Sequence, residues 1–60
     1  MDMTPKQLRM VDTALATHIR RLEQERGWAE EGSPDFRRLT ENIAEYASFR
    51  EDIEILLLRY

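Results

Sequence analysis

His18 is the single histidine of the sequence, and an imidazole can act as a general base or bind a metal ion. A metal site needs several suitably placed ligands, but the chain has no second histidine and no cysteine. The place of His18 on an apolar helical stripe instead predicts a partly buried imidazole, hydrogen-bonded across a helical bundle. In a symmetric dimer it would meet its own copy or a glutamate, which would make assembly sensitive to pH.

Paired carboxylates and hydroxyls offer little further chemistry. Glu41 and Glu45 stand one helical turn apart, but a di-iron site in a four-helix bundle also requires Glu-x-x-His pairs, which the sequence lacks. Ser33 is placed to cap a helix, and no histidine lies near enough to activate it as a nucleophile. Glycine-rich phosphate loops are absent as well. We therefore expect no enzyme, no metal and no cofactor.

A group of arginines near the middle of the chain could contact phosphates: Arg20, Arg21, Arg26, Arg37 and Arg38. An equal number of acidic residues occupies the same region, namely Glu23, Glu25, Glu30, Glu31 and Asp35. The net charge of -3 and the pI near 5.0 also disfavour a protein that mainly coats nucleic acid. A salt-bridged surface is the favoured interpretation, and a nucleic-acid site is the alternative.

The length of the chain predicts self-association. Sixty residues form one domain that exposes too much surface to bury a large core, and without cysteine no disulfide can compensate. Residues 1–27 carry five basic and four acidic residues, whereas residues 28–60 carry four basic and eight acidic ones, so two such segments would pair well. No signal-peptide pattern is present and the longest apolar run, residues 55–58, is far too short to span a bilayer, so we expect a cytoplasmic protein.

Two sets of helix-start signals predict an all-α hairpin. Thr4 and Pro5, with Gln7 completing a capping box, predict a first helix at about 5–26 that ends at a left-handed Gly27. Ser33 and Pro34 predict a second helix at about 34–59, which leaves residues 27–33 as a corner. A connection this short favours antiparallel helices, with the second helix projecting past the start of the first.

Apolar residues at intervals of three and four mark the predicted self-association or partner interface: Leu8, Val11, Leu15, His18, Leu22, Ile43, Tyr46, Ile53, Leu56, Leu57 and Tyr60. Ile19 widens the stripe on the first helix. Four consecutive apolar residues, 55–58, face all sides of a helix, so one partner helix cannot cover them. A second copy of the chain, giving a four-helix bundle, would cover them. Trp28 is expected to close the open end of the bundle with its ring buried, or to act as an interface anchor.

In size and hairpin plan the chain resembles the Rop family, small plasmid RNA-binding proteins that form antiparallel four-helix dimers, although no sequence motif is shared. The expected function is a non-catalytic protein–protein interaction or regulatory role as a homodimer, with a protein partner that the sequence does not identify. A Rop-like RNA or DNA binder and a subunit of a larger helical assembly are the alternatives. The residues that support the interaction role are the uncovered apolar ones.

Overall fold

The computed structural model describes residues 3–60, which form two antiparallel α-helices, α1 (Pro5–Trp28) and α2 (Pro34–Leu57). The pair is packed side by side in a rod of 42 × 17 × 14 Å. The all-α helical hairpin predicted from the sequence is therefore confirmed. A hairpin is a single layer of helices, so each helix has only one neighbour to pack against.

Both helix starts are fixed by side chains that accept hydrogen bonds from the first turn. The Gln7 amide N–H donates to the Thr4 hydroxyl oxygen at 3.1 Å, and the Thr4 amide donates to the Gln7 side chain at 2.9 Å, which completes the predicted capping box. At α2 the Phe36 amide donates to the Ser33 hydroxyl at 3.1 Å. These bonds satisfy amide groups that would otherwise lack partners at a helix N-terminus.

The corner between the helices differs from the prediction. The helix continues through Gly27 to Trp28 and is capped at Ala29, whose backbone is extended and whose N–H contacts the carbonyls of Glu25 and Arg26. The left-handed residue is Gly32, with a φ of 86°. Because the chain leaves α1 in an extended conformation, its reversal takes place next to Ser33 rather than at the end of α1.

The packed seam, defined here as the line of residues along which the two helices face each other, follows a strict alternation of three and four residues. On α1 it comprises Leu8, Asp12, Leu15, Ile19, Leu22 and Arg26. On α2 it comprises Phe36, Leu39, Ile43, Tyr46, Arg50, Ile53 and Leu57. Only five of these side chains are buried, and none in the described chain is completely shielded from solvent. The seam is therefore too small to hide most of the apolar surface.

An ion pair occupies the seam where the apolar pattern has a gap. The Arg50 Nε donates to Asp12 Oδ1 at 2.9 Å, and Nη2 donates to Oδ2 at 3.3 Å, so the contact is bidentate. This hydrogen bond, together with the negative charges of Asp12 and Glu54, raises the pKa of the Arg50 guanidinium against the opposing effect of burial. Because the two-point contact holds only in one alignment, it fixes the register of α1 against α2.

The register also determines where the helices end. Asp12 lies opposite Arg50, so residues whose numbers sum to about 62 lie at the same height in the hairpin. Both helices have 24 residues, and the Tyr60 hydroxyl donates to the Met3 carbonyl at 2.7 Å. The predicted projection of the second helix past the first is therefore wrong, because α2 stops at Leu57 and α1 runs two residues further than expected.

The two glycines give a direct test of the corner. Gly27 is helical, and a methyl group added to its Cα would meet nothing within 4 Å, so Gly27→Ala should stabilise the protein by about 0.5–1 kcal/mol. Gly32→Ala should destabilise it by about 1 kcal/mol, because alanine is strained at positive φ. Urea denaturation at one fixed protein concentration measures both. The reverse order of stabilities would place the left-handed residue at Gly27.

The coupling across the seam is measured by a double-mutant cycle on Asp12→Ala and Arg50→Ala. Each single substitution should lower the free energy of unfolding, because it leaves the opposite charge without its partner in the seam. The double variant should lose clearly less than the sum of the two. Arg20→Ala is the matched control, since Arg20 is an exposed arginine outside the seam, and its effect should be close to zero. Strict additivity would show that the pair does not set the register.

Candidate partner interface

One flank of the seam is apolar over most of its length. The positions next to the seam on this side are Val11, His18 and Glu25 on α1 and Asn42, Phe49 and Leu56 on α2. Glu25 and Asn42 lie near the corner. The other four positions, together with the half-buried seam residues Leu15 and Tyr46, form what we call the apolar face: Val11, Leu15, His18, Tyr46, Phe49 and Leu56. Phe49 is 51% exposed and Leu56 42% exposed. The face therefore presents aromatic and aliphatic side chains from both helices to solvent.

Contacts between the helices show that four residues of this face are neighbours: Leu15, His18, Tyr46 and Phe49. The rings of His18 and Tyr46 meet edge to face, with centroids 4.8 Å apart and an interplanar angle of 87°. A shallow open depression beside them is lined by Leu15, Tyr46, Phe49 and Glu45. The face is thus a continuous strip with an aromatic centre, of the kind that is enriched at protein interfaces.

The other flank of the seam is polar. The corresponding positions there are Arg9, Ala16, Glu23, Thr40, Ala47 and Glu54. Alanine and charged side chains on this side form no comparable strip. The hairpin therefore has one apolar side and one polar side, and only the apolar side is suited to packing against another helical layer.

The exposed surface of the hairpin is large for its mass. A compact 7.2 kDa monomer is expected to expose about 4,100 Å², whereas this chain exposes 5104 Å². The excess is roughly the area that one partner contributes to a stable protein–protein interface, about 800 Å². The hairpin therefore has as much surplus surface as one side of such an interface would cover.

The residues predicted for the interface fall into three groups. Leu8, Leu22 and Ile53 are buried inside the seam, where Ile43 and Leu57 are also partly covered. Val11, Leu15, His18, Tyr46 and Leu56 belong to the apolar face. Tyr60 lies at the end of the hairpin, bonded to Met3.

His18 lies outside the seam of the single hairpin, and its predicted hydrogen bond across a bundle stays a prediction. Its side chain is exposed, and among residues 3–60 it makes no hydrogen bond within the hairpin. The reason is that Ile19, its neighbour, takes the seam position, which turns His18 toward the flank. The same one-residue rotation places Asp12 in the seam and Val11 on the apolar face.

The arginines near the corner are divided among several environments. Arg26 lies in the seam with its guanidinium 6.0 Å from the centre of the Phe36 ring. Arg21 lies 4.0 Å from Glu25, and Arg38 lies 3.6 Å from Asp35. Arg20 and Arg37 are exposed on the polar side of the hairpin. The five arginines therefore do not form one patch.

Other apolar side chains are exposed away from the apolar face. Trp28 is 81% exposed in the single hairpin, and the expectation that its ring closes the end of a four-helix bundle stays a prediction. Met10 and Ile55 point away from the seam, and Leu58 is almost fully exposed. The prediction that the run 55–58 cannot be covered by one helix is confirmed.

Within residues 3–60 no group of three or more histidine, aspartate or glutamate side chains could hold a metal ion. Over the same residues neither helix is long and apolar enough to cross a bilayer.

The exposure of Trp28, the only tryptophan, can be measured by fluorescence. We expect an emission maximum like that of a solvated indole and strong quenching by acrylamide, with little change on unfolding in urea. Control spectra of the unfolded chain give the fully exposed reference. A blue-shifted, weakly quenched emission that depends on protein concentration would instead place Trp28 in an interface between copies.

Comparisons of the chain with models of protein families, with curated proteins and with solved structures found no match.

Proposed function

We propose that this protein acts without catalysis, as a homodimeric four-helix bundle that serves as a protein-interaction or regulatory module. The observation that carries the proposal is the apolar face, which joins both helices and remains open to solvent in a single hairpin. Two hairpins that bury this face against each other form a two-layer bundle, the ordinary solution for helices with one apolar side.

The exposed surface area of the hairpin is consistent with a second copy of the chain as the partner. Its surface exceeds that of a compact chain of equal mass by about as much as one side of a standard interface. The aromatic side chains at the centre of the face, Tyr46 and Phe49, belong to the residue types that are enriched in such interfaces. The energy of burying them would offset the weakness of a seam with only five buried residues.

Dimerisation through the apolar face would leave a second set of apolar side chains in solvent. Met10 and Ile55 lie on the outer sides of the helices, and Trp28 and Leu58 lie at opposite ends of the hairpin. These positions can contact a further protein without opening the bundle, and tryptophan is a frequent anchor of such contacts. The dimer would therefore act as a scaffold that presents several apolar contacts.

Two substitutions of equally exposed residues separate the apolar face from the outer surface. Phe49→Glu should raise the dimer dissociation constant about tenfold or more, because it places a charge in the centre of the buried interface. Ile55→Glu is the matched control, since Ile55 is 53% exposed against 51% for Phe49 but points outward. Sedimentation at several concentrations measures both, and circular dichroism reports whether the helices persist.

Two outcomes would contradict the proposal. Equal dissociation constants for the two variants would show that the apolar face is not the interface. A monomeric parent chain at millimolar concentration, with its helices intact, would show that the hairpin is stable without covering this face.

A further inference from the structure

The exposed charges of the two helices have opposite signs over most of their length. Between Pro5 and Leu22, the exposed charged residues of α1 are all basic, namely Lys6, Arg9, Arg20 and Arg21. At the same heights on α2 they are all acidic, namely Glu41, Glu45, Glu51, Asp52 and Glu54. The two exceptions, Asp12 and Arg50, are bound to each other in the seam. The hairpin therefore has a positive helix and a negative helix.

Close to the corner the signs are reversed at matching heights. Glu23 and Glu25 follow on α1, and Arg37 and Arg38 lie opposite them on α2. The register makes Glu25 level with Arg37, and Glu23 level with Leu39, next to Arg38. From Pro5 to Glu25, each charged stretch of α1 is thus level with a stretch of opposite charge on α2.

A two-fold dimer that buries the apolar face has two possible arrangements. With the symmetry axis along the hairpin, both corners lie at the same end, and α1 packs against α2 of the partner. With the axis across the hairpin, the corners lie at opposite ends, and α1 packs against α1 of the partner. The two arrangements bury the same side chains but bring different charges together.

We propose that the dimer has both corners at the same end, so that the positive helix of each copy lies against the negative helix of its partner. This inference rests on the proposed dimer and specifies its architecture. It follows from the net charges of the two helices. The exposed charges of α1, which leave out Arg26 in the seam, sum to a positive value, and those of α2 sum to a negative value. The opposite-end arrangement would set like against like on both helix pairs.

The charged residues that border the apolar face, here called its rim, favour the same arrangement; they are Arg21 and Glu25 on α1 and Arg38, Glu45 and Asp52 on α2. In the same-end dimer the heights found within one hairpin also apply across the interface, so Glu25 lies next to the height of the partner's Arg38. The partner's Glu45 lies next to the height of His18 and about one helical turn from that of Arg21. Arg21 is also about one turn from the partner's Arg38, but that guanidinium is closer to Glu25. Glu25 and Glu45 therefore each have a guanidinium or imidazole of the other copy within reach, whereas Asp52, whose height is next to that of the partner's Val11, has neither.

The opposite-end arrangement is less favourable at the same rim. With the symmetry axis crossing the middle of α2, near Glu45, this arrangement brings Arg38 near the partner's Asp52, which is complementary, but sets Glu45 beside the partner's Glu45. Arg21 and His18 then find no acidic partner on the rim. Single surface pairs contribute little to affinity, but a difference of sign between two otherwise equal arrangements decides between them.

The architecture can be measured with one label per chain, because the sequence contains no cysteine that would compete. Glu31→Cys places a spin label on the corner, where the side chain is exposed. In the same-end dimer the two labels should lie within about 20 Å, since packed helices are about 10 Å apart. In the opposite-end dimer they should be separated by about the length of the hairpin, 42 Å.

A second label position makes the assignment unambiguous. Leu58→Cys labels the other end of the hairpin at a side chain that is 85% exposed. We expect short distances between two corner labels and between two Leu58→Cys labels, and a long distance in mixed dimers carrying one of each. Short distances only in the mixed dimers would overturn the proposal. Sedimentation of the same labelled samples as monomers would instead refute the dimer itself.

A pair of charge reversals tests the rim with equal changes in net charge. Glu45→Lys should raise the dimer dissociation constant several-fold, because Glu45 lies within about one turn of the partner's His18 and the partner's Arg21. Glu51→Lys, on the polar side of the same helix, is the matched control and should change it much less. In the opposite-end dimer Glu45→Lys would exchange one repulsive pair for another, so a dissociation constant equal to that of Glu51→Lys would overturn the proposal.

Discussion

The bidentate contact between Asp12 and Arg50 is the interaction on which the rest of the hairpin depends. It lies in the seam, where two apolar side chains would have buried more surface, and it can form in only one alignment of the helices. By fixing this register it determines which residues reach the apolar face and which charges lie level with each other. It also removes the one acidic residue from the basic part of α1 and the one basic residue from the acidic part of α2. A single pair thus contributes to fold specificity and to the segregation of surface charge.

The limits of a two-helix layer explain why so much apolar surface stays outside the core. Each helix can bury one narrow stripe against its neighbour, and in this seam only five leucine and isoleucine side chains are buried. Apolar residues one position away from the seam have no second helix to contact. These apolar residues are concentrated on one side of the hairpin, whereas mainly alanine and charged residues lie on the other. Only the apolar side is therefore suited to packing against a second layer of helices.

Local signals in the sequence were enough to place both helices, because Thr4, Gln7, Ser33 and Pro34 act within one turn and need no distant partner. The residues of the seam were harder to predict from the sequence, because Leu8, Leu15 and Leu22 fit two helical stripes. One stripe runs through Val11 and His18, and the other runs through Asp12 and Ile19. A charged residue argues against the second stripe until its partner across the hairpin is known, and that contact spans 38 residues. The predicted helix end at Gly27 was wrong for a related reason. Glycine favours a helix end, but here the helix continues to Trp28, the chain leaves it through the extended Ala29, and the left-handed residue is Gly32. The apolar face could be identified only after the seam had been fixed.

The hydrogen bond from Tyr60 to the Met3 carbonyl brings the two ends of the described chain together at the pole opposite the corner. The hairpin is therefore nearly a closed ring of polypeptide. A short linker could join the ends at a small cost in loop entropy, and the ring could then be opened within residues 29–32 without cutting either helix. Such a circularly permuted chain would keep the same seam while reversing the order in which its helices are synthesised.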